Sequence, residues 1–411
     1  MTCMSIFLKK YHFIFVITSI FILAVLLVEH SNFSSTSNDS RFYTRQVVRY
    51  VDKSYIEYFA PTWGQDAYGQ VPTSLMKDHL PGHLLLGIWS VHYLGLSPQH
   101  ALHVVQMFFL LASIFLLTLF VKRMGDLNII EEGEQNYFRI LPLLLILLPH
   151  SFSYSVRANQ EASILFFLSL SMFISLYTFN KWIKILILAI FSLVLFWIKG
   201  IFFIFVPLTY VICDFCLTVE EFSLRKIQQK IPEYCSLFFI TLCLVFLSAY
   251  AYESFIQKNY HESFFSHYFN TQYIERAYSL GNDVSGGSVW GTKLKKLWIS
   301  GIYYSRVSLI YSAPWSLLFI IALFFKKIRI KIKKIDAVIL LLTFCYLSVL
   351  IYSGRNASRY AIPVYYWLSI FFSFQLLRMI KPQIGPRLLF MYLALLIWLG
   401  VVVVKIYVLK G

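Results

Sequence analysis

Charge is scarce in this chain of 411 residues. Only 14% of them are charged while 58% are hydrophobic, and a mean hydropathy of +0.67 lies outside the range of soluble globular domains. Acid is scarcer than base: 20 Asp and Glu against 36 Lys and Arg leave a formal charge of +16. In a soluble protein that excess would suggest nucleic acid. In a chain this apolar, basic residues are first placed relative to a membrane, and nucleic acid is not an expected partner. Cysteine is also sparse. Six are present, and Cys213 and Cys216 spell CDFC with no second pair and no histidine cluster, which excludes a zinc ribbon and leaves small residues at a helix end. Repeats, low-complexity tracts and soluble domain boundaries are missing, so residues 1–411 read as a single transmembrane domain. No small-x-small cleavage site follows the apolar run 11–29, which predicts an uncleaved first membrane helix behind Lys9 and Lys10, with a cytoplasmic N-terminus.

What the chain has instead is long hydrophobic runs. They fall at about 11–29, 101–121, 138–153, 162–179, 183–198, 200–219, 236–253, 303–325, 336–352, 361–379 and 388–408. The expectation is an all-α, polytopic helical bundle of about 11–12 transmembrane helices. LPGHLLLGIWSVHYLGL (80–96) is short and carries His83 and His92. Reading it as interfacial or re-entrant puts Lys122/Arg123, Lys181/Lys184, Arg225–Lys230, KKIRIKIKK (326–334) and Arg378–Arg387 all on the cytoplasmic side. The two hydrophilic loops, 30–100 and 254–302, then face outward, and function is expected there.

The first outer loop opens with SNDSRFYTRQVVRY (37–50). Tyr43, Val47, Tyr50 and Val51 share one helical face and Arg41, Arg45 and Arg49 another, which predicts an amphipathic helix on the outer membrane surface with Asp39 at its N-terminal end. Taken alone, Asp39 fits a helix N-cap and the arginines a solvated stripe. Other polar residues fall at the same predicted face: Lys77 and His79; Arg157 and Glu161 in SVRANQEAS; Lys199 in WIKG; Tyr303, Tyr304 and Arg306 in IYYSR; Arg359 and Tyr360 in SRYAIP. Cations gathered on the outer face run against the positive-inside tendency and need an anionic partner, and a lipid-borne phosphate suits them. One carboxylate plus a cationic pocket fits transfer of a group away from phosphate. The leaving group is already good, so a single base that deprotonates the acceptor suffices.

Six stretches, in order, resemble the GT-C membrane glycosyltransferases of the protein mannosyltransferase and lipid A aminoarabinose transferase type. NDSRFYTRQVVR is similar to the family's acidic motif and surface helix, and HLPGHLLLGIWSVHYLGLSPQHALHVVQMFFLLASIFLLTLFVKRM to the stretch that opens with Lys-Pro-Pro-Leu. RANQEASILFFLSLSMF, WIKGIFFIFVPL, IYYSRVSLIYSAPWSLLF and SRYAIPVYYWLSIF resemble its arginine-acid, Thr-Lys-Gly, Tyr-Tyr to Pro-Trp and Arg-Tyr-x-x-Pro segments. The chain departs from that pattern at Ser40, at His-Leu-Pro-Gly and at Ile198.

The resemblance implies a sugar transferred from a polyprenyl-phosphate donor to a lipid, glycan or protein acceptor at the outer face of a bacterial inner membrane, among membrane lipids. Asp39 would be the catalytic carboxylate. Lys199, Arg359 and His79, seconded by Arg157 and Arg306, would bind the donor phosphate. Glu161, Lys77, Tyr304 and Tyr360 would contact substrate, and Asp39 and Glu161 could share a divalent cation if they converge. GNDVSGGSVWG (281–291) would belong to a mobile element over the acceptor. An O-antigen polymerase or ligase would share the lipid carrier. A lipid-linked sugar flippase would instead carry polar residues at mid-bilayer in two pseudo-symmetric halves.

Overall fold

The computed structural model of the protein describes residues 38–62, 75–77, 79–130, 141–146, 148, 157–218, 224–270, 289–325, 332–353 and 356–379. Among these residues there is no strand, only an isolated antiparallel bridge between Thr62 and Leu75. The first half holds α1 (Asn38–Tyr50), α2 (Tyr55–Phe59), α3 (Gly82–Leu94), α4 (Ala101–Asp126), α5 (Leu141–Ile146), α6 (Glu161–Ser175) and α7 (Lys181–Lys199). A 3₁₀ turn (Gly200–Ile204) leads to α8 (Phe205–Thr218), α9 (Leu224–Tyr260), α10 (Phe264–Phe269), α11 (Val289–Tyr311), α12 (Trp315–Phe325) and α13 (Lys334–Tyr352). A second 3₁₀ turn (Ser358–Ala361) precedes α14 (Ile362–Met379).

The chain is thus an all-α, polytopic membrane protein. By length and composition, Ala101–Asp126, Lys181–Leu217, Gln228–Tyr260 and Lys334–Tyr352 can each cross a bilayer, and Leu294–Tyr311 with Trp315–Phe324 can do so as a pair bent by 93°. Hydropathy alone had marked eleven runs. Of these, 11–29 and 388–408 lie outside the described residues, as does most of 138–153. The runs 183–198 and 200–219 form one helical stretch of 37 residues interrupted at Gly200, whose φ of 61° ends α7 directly after Lys199. The run 303–325 breaks at Pro314, which has no N–H to continue the ladder. Within 80–96, α3 has 13 residues, about 20 Å of helix, which is shorter than the ~30 Å core of a bilayer.

At the centre stands α14. Every residue from Tyr360 to Leu376 is buried, which is what a helix apolar on all sides requires. It packs against α6, α12 and α13, while α6 lies chiefly on α4 and α8, and α7 on α9. Gln106 of α4 caps α6 from the side: its Oε1 accepts from the Ser163 N–H at 3.2 Å, and its Nε2 donates to Ser163 Oγ at 2.9 Å. That satisfies one of the orphan donors at the head of α6.

One expectation for α1 needs correction. The two faces are those predicted, with Tyr43, Val47 and Tyr50 buried and Arg41, Arg45 and Arg49 exposed. Yet the apolar face does not rest on lipid. It is covered by Leu84, Leu85 and Ile88 of α3, by Ala101 and Leu102 of α4, and by Ala158. Periodicity reports that a face is covered, not by what.

Ionic groups collect at two ends of the bundle. Lys184, in the first turn of α7, lies near Asp214, Lys230, Glu233 and Tyr210, where Lys230 Nζ meets Asp214 Oδ2 at 2.8 Å and Tyr234 donates to the same oxygen. Fifteen residues on, roughly 22 Å along the helix axis, Lys199 ends it. Likewise α14 starts beside Arg359 and ends at Arg378, which is paired with the buried Asp336.

The head of α3 touches the end of α7. A Cβ on Gly82 would stand 2.5 Å from the Trp197 carbonyl oxygen, whereas one on Gly301 would meet nothing within 4 Å. Gly82→Ala should therefore lower stability by about 1–3 kcal/mol, seen as a reduced melting temperature in detergent, while Gly301→Ala leaves melting unchanged or raised. Equal melting of the two variants would contradict this packing.

Candidate functional site

Four charged residues from four separate segments meet at the end of the bundle opposite the Asp214 cluster. Glu161 begins α6 and is 2% exposed. Its Oε1 faces Arg359 Nε at 3.7 Å and Lys199 Nζ at 3.9 Å. Asp39, in the first turn of α1, pairs through Oδ2 with Arg359 Nη2 at 2.5 Å. One guanidinium thus joins two carboxylates.

Local helix geometry explains most of these placements. Asp39 and Glu161 sit in first turns, where the positive end of the helix dipole favours a carboxylate, and Lys199 sits in the last turn of α7, where the negative end favours an ammonium. Arg359 is the exception, since its 3₁₀ turn leads into the N-terminus of α14. Burial alone would lower its pKa. Glu161, Tyr360 and Asp39 outweigh burial and hold the guanidinium above its ordinary value, so it stays charged. The Tyr360 ring lies 5.1 Å from the Arg359 guanidinium and 5.2 Å from the Lys199 ammonium, and Arg359 Nη2 donates to Tyr360 Oη at 3.3 Å.

A directed chain of hydrogen bonds leaves this cluster. Lys199 Nζ donates to Gln160 Oε1 at 2.5 Å. Because an ammonium cannot accept, the amide is fixed with its nitrogen outward, and Gln160 Nε2 donates to Tyr43 Oη at 3.0 Å. The Tyr43 hydroxyl is in turn within hydrogen-bond distance of His79 Nδ1, at 3.1 Å. Burial, followed by the charges of Asp39 and Glu161, pushes the Tyr43 hydroxyl well above its ordinary pKa and keeps it a proton-bearing donor.

Two contacts anchor the turn that carries Gln160 and Glu161. The Ala158 N–H donates to Ser40 Oγ on α1 at 3.0 Å, and His83 Nε2 of α3 donates to the Ala158 carbonyl at 3.0 Å. Burial holds His83 down to about 4, which keeps the ring neutral.

The sequence-derived candidates divide accordingly. Asp39, Glu161, Lys199, Arg359, Tyr360 and His79 are brought together. Arg157 lies half-buried in the same turn as Gln160. Lys77 turns instead to Glu262, ahead of α10, with Nζ 2.5 Å from Oε2. Tyr304 is buried in the central core against Tyr303, and Arg306 is exposed on α11 and joins none of these contacts. The segment 271–288, which holds most of the glycine-rich stretch, lies outside the described residues. Asp39 and Glu161 do converge, but on Arg359, and among the described residues no group of three or more His, Cys, Asp or Glu is placed to hold a metal ion. Cys213 is buried and Cys216 half-buried within α8, both with free thiols.

Sequence reasoning missed Gln160, Ser40 and the hydroxyl of Tyr43. The signal for Gln160 was its position directly before Glu161 at the head of an apolar run. No family model, curated protein or solved structure matches the chain.

Gln160→Leu removes the hydrogen-bond acceptor of Lys199 and the donor to Tyr43 together, leaving Lys199 with Glu161 and Tyr360 and Tyr43 with His79. A loss of about 1–3 kcal/mol is expected, read by thermal unfolding in detergent. Gln160→Glu keeps the Lys199 contact and should lose less. If the leucine variant melted like wild type, the chain would not be a structural connection.

Proposed function

We propose that the protein is an integral-membrane glycosyltransferase that takes a sugar from a polyprenyl-phosphate carrier and delivers it to a hydroxyl of a lipid, glycan or protein acceptor. The observation that carries this reading is the juxtaposition of two carboxylates with Lys199 and Arg359 at one end of a membrane bundle. Ionisable groups at such a position are functional candidates by default, and two cations from different helices suit an anionic lipid headgroup.

In the proposed reaction the acceptor oxygen attacks the anomeric carbon of the donor. The bond from that carbon to the phosphate oxygen breaks, its electron pair stays on the phosphate, and the acceptor proton passes to Asp39. Asp39 is suited to the base because its side chain is 38% exposed while Glu161 is buried. Arg359 and Lys199 stabilise the charge that grows on the leaving phosphate. Glu161 holds both cations in register, and Tyr360 supports them from one side. His79 adds an imidazole linked to the cluster through Tyr43. A bacterial inner membrane, with the cluster on the periplasmic side, is the setting in which this carrier and the distribution of basic loops agree.

The test uses full-length protein in phosphatidylcholine nanodiscs, radiolabelled polyprenyl-phosphate hexoses and pentoses, and a membrane extract as acceptor source. Wild type should release polyprenyl phosphate from at least one donor. Asp39→Asn should lower the rate by about 10²–10⁴-fold with folding retained, and Lys199→Ala should chiefly raise the donor concentration needed. Absence of release by wild type with every donor would sink the proposal.

A further inference from the structure

The four charges that touch one another balance: Asp39 and Glu161 supply two negative, Lys199 and Arg359 two positive. A cluster already neutral has no spare cation for a phosphate. An entering anion would leave one or two uncompensated negative charges in a partly buried place unless one carboxylate gives way.

The two acids differ in their freedom to do so. Glu161 is 2% exposed, lies at the head of a helix capped from α4 by Gln106, and faces both cations. Moving it would unpair Lys199 and Arg359 together. Asp39 is 38% exposed and pairs with Arg359 alone, through the same Nη2 that donates to Tyr360. A change of side-chain rotamer suffices to carry its carboxylate into water. Nε faces Glu161 and the guanidinium lies against the Tyr360 ring, while Nη2 is held by the more exposed of the two acids. The Nη2 position is therefore one that an anion can take by displacing Asp39.

Resting on the transferase reading, we infer that the donor phosphate binds by displacing Asp39 from Arg359, so that the base becomes available only when the donor is in place. Ion pairing restrains Asp39 in the empty site. The arriving phosphate ester takes over Nη2, and Asp39 turns free to accept the acceptor proton. After transfer the lipid phosphate leaves and Asp39 returns to Arg359, competing with the product for that position. Donor must then bind before acceptor. By linkage, anything that removes the Asp39 charge strengthens anion binding at Arg359.

The probe is dodecyl phosphate, titrated calorimetrically into the full chain in phosphatidylcholine nanodiscs, with dodecyl maltoside as the uncharged control. Asp39→Asn should bind dodecyl phosphate about tenfold more tightly than wild type, in the range of ordinary coupling between two sites. Asp39→Ser should show the same sign, which guards against a variant-specific folding defect, and melting curves identify any variant that has unfolded. Arg359→Gln should weaken binding, and in that background Asp39→Asn should change affinity less than twofold. Binding by wild type that depends on Arg359, with no tightening in either folded Asp39 variant, overturns the exchange and leaves the transferase reading standing. Tightening that persists without Arg359 also overturns it. Absence of phosphate binding in every protein overturns both.

Discussion

A carboxylate buried at the head of α6 governs the rest of the site. Glu161 is almost without solvent, and a lone charge there would cost several kcal/mol or force neutralisation. Its charge is compatible with the fold only because Arg359 and Lys199 both face the same oxygen. That requirement fixes where α7 must end and where the 3₁₀ turn before α14 must lie. Through Arg359 it also reaches α1, since Nη2 of the same guanidinium pairs with Asp39. The partners come from residues 39, 161, 199 and 359, so most of the chain has to fold before any of them meets.

Dipoles and aromatic cover then refine the placement. Three of the four charges sit at the helix end that favours their sign, and the fourth is held against its local dipole by two acids. Tyr360 covers both cations with one ring. The Lys199–Gln160–Tyr43–His79 chain carries this order outward, and the ammonium of Lys199, which cannot accept a hydrogen bond, fixes the orientation of the Gln160 amide.

Much of this was legible in the sequence, for a physical reason. Charges at the ends of apolar runs are rare and have few places to go, so Asp39, Glu161, Lys199 and Arg359 stood out although 320 positions separate the first from the last. Hydropathy located helices but not their joints. The 93° bend between α11 and α12 and the short 3₁₀ break at Gly200 depend on backbone geometry that hydropathy does not encode. Charge at the correct end also does not say which side of the bundle it occupies. Lys77 pairs with Glu262 ahead of α10, and Tyr304 is buried against Tyr303. The roles of Gln160 and Ser40 are not legible in the sequence because neutral polar side chains are ordinary in apolar helices and their turns. Only the partner across space reveals their role.

The measurement closest to the governing constraint is a double-mutant cycle on stability between Glu161 and Arg359, read by thermal or denaturant unfolding in one detergent. Arg359→Gln alone should cost about 3 kcal/mol or more, because it strips a buried carboxylate of a partner. The same substitution in a Glu161→Gln background should cost far less. Additive losses in the two backgrounds would mean that Glu161 does not depend on Arg359, and the site would not be organised around that carboxylate.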